Sequence, residues 1–234
     1  MWKKLVSMLL VLSILFSFSA TAFAAETEEI LPVVVSDTAD ERVVVVDGVV
    51  ASYNKNSNTV TLTQNGMSTT FSLETEKMNA NANATYAPYA TGTVTIRDET
   101  VWMHEYEYYK ISIGKYYWCI DIPSLEINPN EWCDPITVSD DGSKAAKACA
   151  AFANYIDAAK ENEVELSTYG GAILISAAVG FISKNLKFTK AAYIAACAAA
   201  GIAVTSDVAG IAGNYVNNIL NARDEYKAVE GYLA

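Results

Sequence analysis

Apolar positions along this chain follow two different periods. From about Arg42 to Ile122 they alternate, and from about Asp140 to Tyr232 they recur every three to four residues. The alternating half predicts strands. Val43–Tyr53 is valine-rich and reads as one strand bent at Asp47-Gly48. Thr59–Gln64 and Met67–Leu73 flank Asn65-Gly66, a pair suited to a type I′ hairpin because both central residues need positive φ. That register sets Val60 opposite Phe71 and Leu62 opposite Thr69. One face then carries Val60, Leu62, Met67, Phe71 and Leu73, and the other a row of Thr and Ser hydroxyls from Thr59 to Ser72. Strand character returns at Thr93–Ile96 and Val101–Tyr109. A second hairpin over Lys110–Cys119 is expected to turn at Gly114-Lys115, gathering Ile111, Ile113, Tyr116, Trp118 and Ile120 on one face.

The second half predicts four helices. Asp140 or Asp141 caps the first, from about Ser143 to Asn162, with Ala145, Cys149, Phe152, Ile156 and Ala159 inward. Ser167 or Thr168 opens the second, to about Asn185. Thr189 caps the third, to about Thr205, and Ser206 or Asp207 opens a fourth ending near Tyr232. The expected fold class is α+β: an antiparallel β-domain over residues 42–123, open sheet or partial barrel, a loop over 124–138, and an Ala/Gly-rich four-helix domain over 139–234. Residues 25–41 carry no sustained pattern and read as a flexible lead-in.

The amino terminus adds a destination. Met1-Trp2-Lys3-Lys4, an apolar run from Leu5 to Phe18 and the Ala22-Phe23-Ala24 ending together predict a signal peptide over residues 1–24, and hence a secreted, extracellular protein. Without Lys3 and Lys4 the formal charge of −11 becomes −13. An acidic balance of this size argues against nucleic acid as a partner, because phosphate binding needs a basic surface. Export also favours disulfides for the four cysteines. The spacing favours Cys119–Cys133 and Cys149–Cys197, although other connectivities remain open.

Three stretches carry no charge: Leu166–Ser183, Ala191–Ser206 and Val208–Ala222. Within them small residues recur every fourth place, as at Ala172, Ser176 and Gly180. Such ladders let helix backbones approach closely, in lipid or in a tight soluble bundle. The hairpin from Tyr169 to Ser206 is therefore a candidate for entering a target membrane. Its interacting residues would be Gly170, Gly171, Ala172, Ser176 and Gly180, with Lys184, Lys187 and Lys190 at an anionic surface. On this reading Gly180→Leu or Lys187→Glu reduces vesicle leakage. The competing reading is a water-soluble helical core.

Leader, acidic β-rich front and Ala/Gly-rich helical tail, with Gly170-Gly171-Ala-Ile-Leu-Ile and Ala209-Gly-Ile-Ala-Gly213 within it, resemble in layout the large secreted bacteriocin-like proteins of Gram-positive bacteria, the geobacillin-26 type among them. The resemblance implies a defence role against related bacteria, a bacterial membrane or envelope as partner, and an immunity protein for self-protection. It assigns no residue roles.

Catalysis finds little support. The single histidine, His104, is followed by Glu105 and Glu107, which strand alternation sends to the opposite face, a poor metal cage. The chain has no Walker loop, dinucleotide fingerprint or nucleophile elbow. The protein is read as no enzyme, with no catalytic residue, metal or cofactor. The alternative function is a non-catalytic extracellular or cell-envelope binding or structural protein, using an aromatic β-sheet face of Trp102, Tyr106, Tyr108 and Tyr117.

Overall fold

The computed structural model describes residues 30–73, 94–95, 106–112, 115–122 and 136–234. The architecture is α+β, with two antiparallel sheets followed by four helices. The first sheet is an open meander of β1 (Val33–Asp37), β2 (Glu41–Val46), β3 (Val49–Asn54), β4 (Thr59–Gln64) and β5 (Met67–Ser72), paired in sequence order. Asn65 and Gly66 have φ of 53° and 77°, the expected turn, and Val60↔Phe71 and Leu62↔Thr69 are registered as their alternation requires.

Three features of this sheet differ from the sequence reading. The bend at Asp47-Gly48 is a full hairpin turn, with φ of 45° and 75°, that divides the valine run into β2 and β3. The lead-in supplies β1, which pairs with β2 through a bulge beside Val34. Met67 stands 75% exposed, because the hairpin tip projects past the helices that cover Val60, Leu62, Phe71 and Leu73. On the reverse face the hydroxyls bond one another across the strands, Thr61 to Thr70 at 2.8 Å and Thr63 to Ser68 at 2.7 Å.

The second sheet orders β6 (Val94–Thr95), β7 (Glu107–Ser112), β8 (Tyr116–Asp121) and β9 (Ile136–Ser139). Its central register is one residue away from the expected one. Ser112 pairs with Tyr116 and Lys110 with Trp118, so three residues, not two, make the connection. A slip of one exchanges the faces of a strand. Trp118 and Ile120 therefore share a face with Lys110 and Tyr108, and Ile111 is registered opposite Tyr117. Part of the segment read as a loop before the helices is β9, which lies beside β8.

The helices are α1 (Lys144–Gly170), α2 (Ala172–Ser183), α3 (Lys190–Ala199) and α4 (Ser206–Leu233). Ser143 caps α1, its hydroxyl accepting from the Ala146 N–H at 3.2 Å. The expected cap Asp141 instead accepts from the Ser143 N–H at 2.9 Å. Thr189 caps α3 and Thr205 caps α4 in the same way. The first helix runs eight residues beyond its expected end near Asn162, to Gly170. Ser167 and Thr168, the expected caps of a new helix, bond back to the carbonyls of Val164 and Glu165 at 2.6 and 2.7 Å and so extend the old one. The inner stripe of Cys149, Phe152, Ile156 and Ala159 continues through Glu163 and Leu166.

One core spans sheets and helices. The long helices α1 and α4 pack side by side, α1 covers β8 and β9, and α3 lies on β2, β3 and β4. Every residue of α3 from Ala191 to Ala199 is buried, and six of these nine are Ala, which lets neighbours close in on all sides of the helix.

Candidate functional site

The α2–α3 hairpin is bracketed by two glycines in the left-handed region, Gly171 (φ 62°) and Gly201 (φ 88°). Two of its small residues, Ser176 and Gly180, meet strand β5. Ser176 is buried and its hydroxyl donates to the Ser72 carbonyl of β5 at 3.5 Å. A methyl group added at Gly180 would sit 2.3 Å from the Phe71 ring, so glycine is what lets the helix close on the strand. Ala172 and Gly171 are half-buried and Gly170 is exposed. Phe71 then meets Phe181 at 6.0 Å, and Phe181, Phe188 and Tyr193 form a cluster with centroids 5.2 to 6.4 Å apart. Tyr193 fastens the two helices together, its hydroxyl donating to the Leu174 carbonyl at 2.8 Å. Lys184, Lys187 and Lys190 are all exposed at the turn, with Lys190 reaching the Ser206 hydroxyl at 3.3 Å. Among the described residues, no helix is long and apolar enough to cross a membrane.

The cysteines among the described residues are unpaired. Cys119, Cys149 and Cys197 are buried free thiols, so neither expected disulfide is formed. Cys149 lies on the α1 face toward α4 and the second sheet, whereas Cys197 belongs to α3 against the first sheet. Apolar faces on two helices need not be the same interface. Cys119 instead contacts the Thr137 hydroxyl of β9 at 3.1 Å. Cys133 lies outside the described residues. Burial pushes the Cys149 thiol up to about 11 and the Cys197 thiol up to about 12.

The expected aromatic face is divided. Tyr106 is buried and stacks on Phe152 of α1, centroids 6.5 Å apart. Tyr108 is buried too, its hydroxyl donating to Asp157 at 2.6 Å. Both belong to the core, because the register turns that face toward α1. Tyr117 is half-buried and registered with the opposite face. Trp102 and His104 lie outside the described residues. Among the described side chains of this sheet the exposed aromatic is Tyr116, beside Lys110, whose ammonium lies 4.5 Å from the Trp118 ring centroid and 2.6 Å from Asp140. That ammonium, with the Trp118 indole N–H donating at 3.1 Å, holds the Asp140 carboxyl below the usual aspartate range.

Two cavities went unforeseen. One, of about 330 Å³, runs between β5 and α2 and is lined by Thr70, Ser72, Ser176, Ser183 and Lys184. The other, about 260 Å³, shares Ser183 and is lined further by Asn185, Arg223, Asp224 and Lys227. Each draws on segments far apart in sequence, so no local pattern announces it. Among the described residues, no group of three or more His, Cys, Asp or Glu side chains is placed to hold a metal ion. No protein-family model, no curated protein and no solved structure matches this chain.

Proposed function

We propose that this chain is a secreted, bacteriocin-like, membrane-active protein whose α2–α3 hairpin is its working part. The observation that carries the reading is the construction of that hairpin. Its stretches Ala172–Ser183 and Ala191–Ala199 carry no charge, it ends at positive-φ glycines on both sides, and its turn offers three exposed lysines on a chain of net charge −11. The lysines would meet an anionic bilayer surface, each contributing roughly 1 kcal/mol. With 12 residues, α2 is only about 18 Å long, so the hairpin would embed in one leaflet and not span about 30 Å of hydrocarbon.

The hairpin is also core, so embedding requires it to leave the first sheet, α1 and α4 first. The purified protein should release dye from phosphatidylglycerol vesicles at micromolar concentration and leave phosphatidylcholine vesicles intact. Lys187→Glu should cut the release severalfold. Intact anionic vesicles would end the reading.

A second reading, an envelope-binding protein without membrane activity, draws on the exposed Tyr116 beside Lys110 and Trp118. Retention on purified peptidoglycan, lost in Tyr116→Ala and unaccompanied by leakage, would favour it.

A further inference from the structure

The β5 strand is the last of its sheet among the described residues, and the direction of its backbone groups follows from the hairpin. Gln64 and Met67 close a two-residue turn, so Leu62 with Thr69 and Val60 with Phe71 are the pairs that exchange both backbone hydrogen bonds. The Leu73 N–H continues this alternation by donating to the Asn58 carbonyl at 2.7 Å. The intervening residues, Ser68, Thr70 and Ser72, therefore turn their N–H and C=O groups away from β4. Ser72 displays that direction, since its carbonyl accepts the Ser176 hydroxyl of α2.

Alongside this edge lies the cavity of about 330 Å³, with α2 as its far wall. The helix runs in the opposite sense to β5, Ser176 meeting Ser72 and Gly180 meeting Phe71, and it brings Lys184 to the far end. Thr70, Ser72, Ser176 and Ser183 make the lining rich in hydroxyls, and Lys184 is its single charge. The adjoining cavity adds Arg223 and Lys227 beyond Ser183, balanced by one acid, Asp224. A strand edge beside a helix, with cations at one end, suits an extended chain that carries its own backbone donors and acceptors and a carboxylate.

We propose that the groove between the β5 edge and α2 is a peptide-docking site, taking an extended segment antiparallel to β5 with its carboxylate, at the C-terminus or on a nearby acidic side chain, against Lys184. Main-chain bonds to Ser68 and Thr70 supply the affinity, and Lys184 selects the end of the peptide that lies there. The partner is an acid-terminated extended peptide, on a protein whose overall negative charge would otherwise repel it. The groove shares α2 and Lys184 with the proposed membrane hairpin, but peptide binding belongs to the folded protein without lipid and so is tested independently of leakage.

The test uses the purified protein and a fluorescein-labelled eight-residue peptide of alternating Val and Thr with a free C-terminal carboxylate, read by polarisation. Saturable binding is expected, weakened about tenfold when the peptide is amidated, in line with loss of one charge-assisted contact. Lys184→Ala should weaken binding of the free acid by a similar factor and leave the amidated peptide unaffected. Thr70→Pro should abolish binding of both peptides, because it removes an outward N–H that β4 does not use. Backbone amide shifts on titration should centre on Ser68–Ser72. Should Thr70→Pro fail to fold, the Lys184→Ala and amidation pair decides. No binding up to millimolar peptide, or binding indifferent to amidation and to Lys184→Ala, overturns the proposal.

Discussion

Gly180 changes meaning once its neighbour is known. On the sequence it is one rung of a small-residue ladder awaiting another helix, but its empty side touches Phe71 of β5. Gly180→Ala should therefore destabilise the fold by about 1–3 kcal/mol through overpacking, read as a lower denaturant midpoint. If hairpin release drives leakage, the same variant should leak more dye than wild type, opposite to the loss expected from the ladder alone. The buried thiols make a second residue-scale expectation. An unfolded cysteine ionises near 9, whereas Cys149 and Cys197 wait until about 11 and about 12. Each folded-state value is raised, so the contribution to stability is complete below 9 and is lost as pH climbs through the folded values. The thermal midpoint should fall from pH 9 upward, and Cys149→Ala should flatten part of that fall. Asp140 runs the other way. Its depressed carboxyl should report through Trp118 as a fluorescence change, absent in Trp118→Phe, with a midpoint below 3.8.

At the scale of elements, capping decided where helices begin, and competing hydrogen bonds decided where they do not. Thr189 was legible as a cap because a helical apolar pattern follows it, and it caps as expected, whereas Thr205, expected as the end of the third helix, caps the fourth in place of Ser206 or Asp207. Replacing either by Ala should cost about 1 kcal/mol in a chemical denaturation curve. Ser167 and Thr168 look equally suitable in sequence, yet their hydroxyls return to the preceding turn and the helix continues to the glycine pair. The same limit appears in the strands. Asn65-Gly66 admits one turn geometry and so fixed its register, whereas the connection after Ser112 admits two lengths, and the longer one was adopted. A one-residue ambiguity there sent Tyr108 into the core and left the proposed aromatic platform without two of its members.

Over the whole molecule, β-sheets and helices share one continuous core, with α3 sheathed by the first sheet and its neighbouring helices. A hairpin at that position can leave only by opening the core, which a chemical probe can follow. Cys197 is fully buried in α3. Its reaction with an aromatic disulfide reagent should be slow in buffer and accelerate at least tenfold with anionic vesicles, measured in a Cys119→Ser, Cys133→Ser, Cys149→Ser background to isolate the signal; an unchanged rate would mean the hairpin stays in place. The α+β layout, the four C-terminal helices and the first hairpin were already written in local periodicity and turn chemistry, because those depend on neighbours a few residues away. Which faces meet was not. The pairing of Gly180 with Phe71, the separation of Cys149 from Cys197 and the groove beside β5 each join segments separated by tens of residues, where packing alone chooses among partners of equal apolar character.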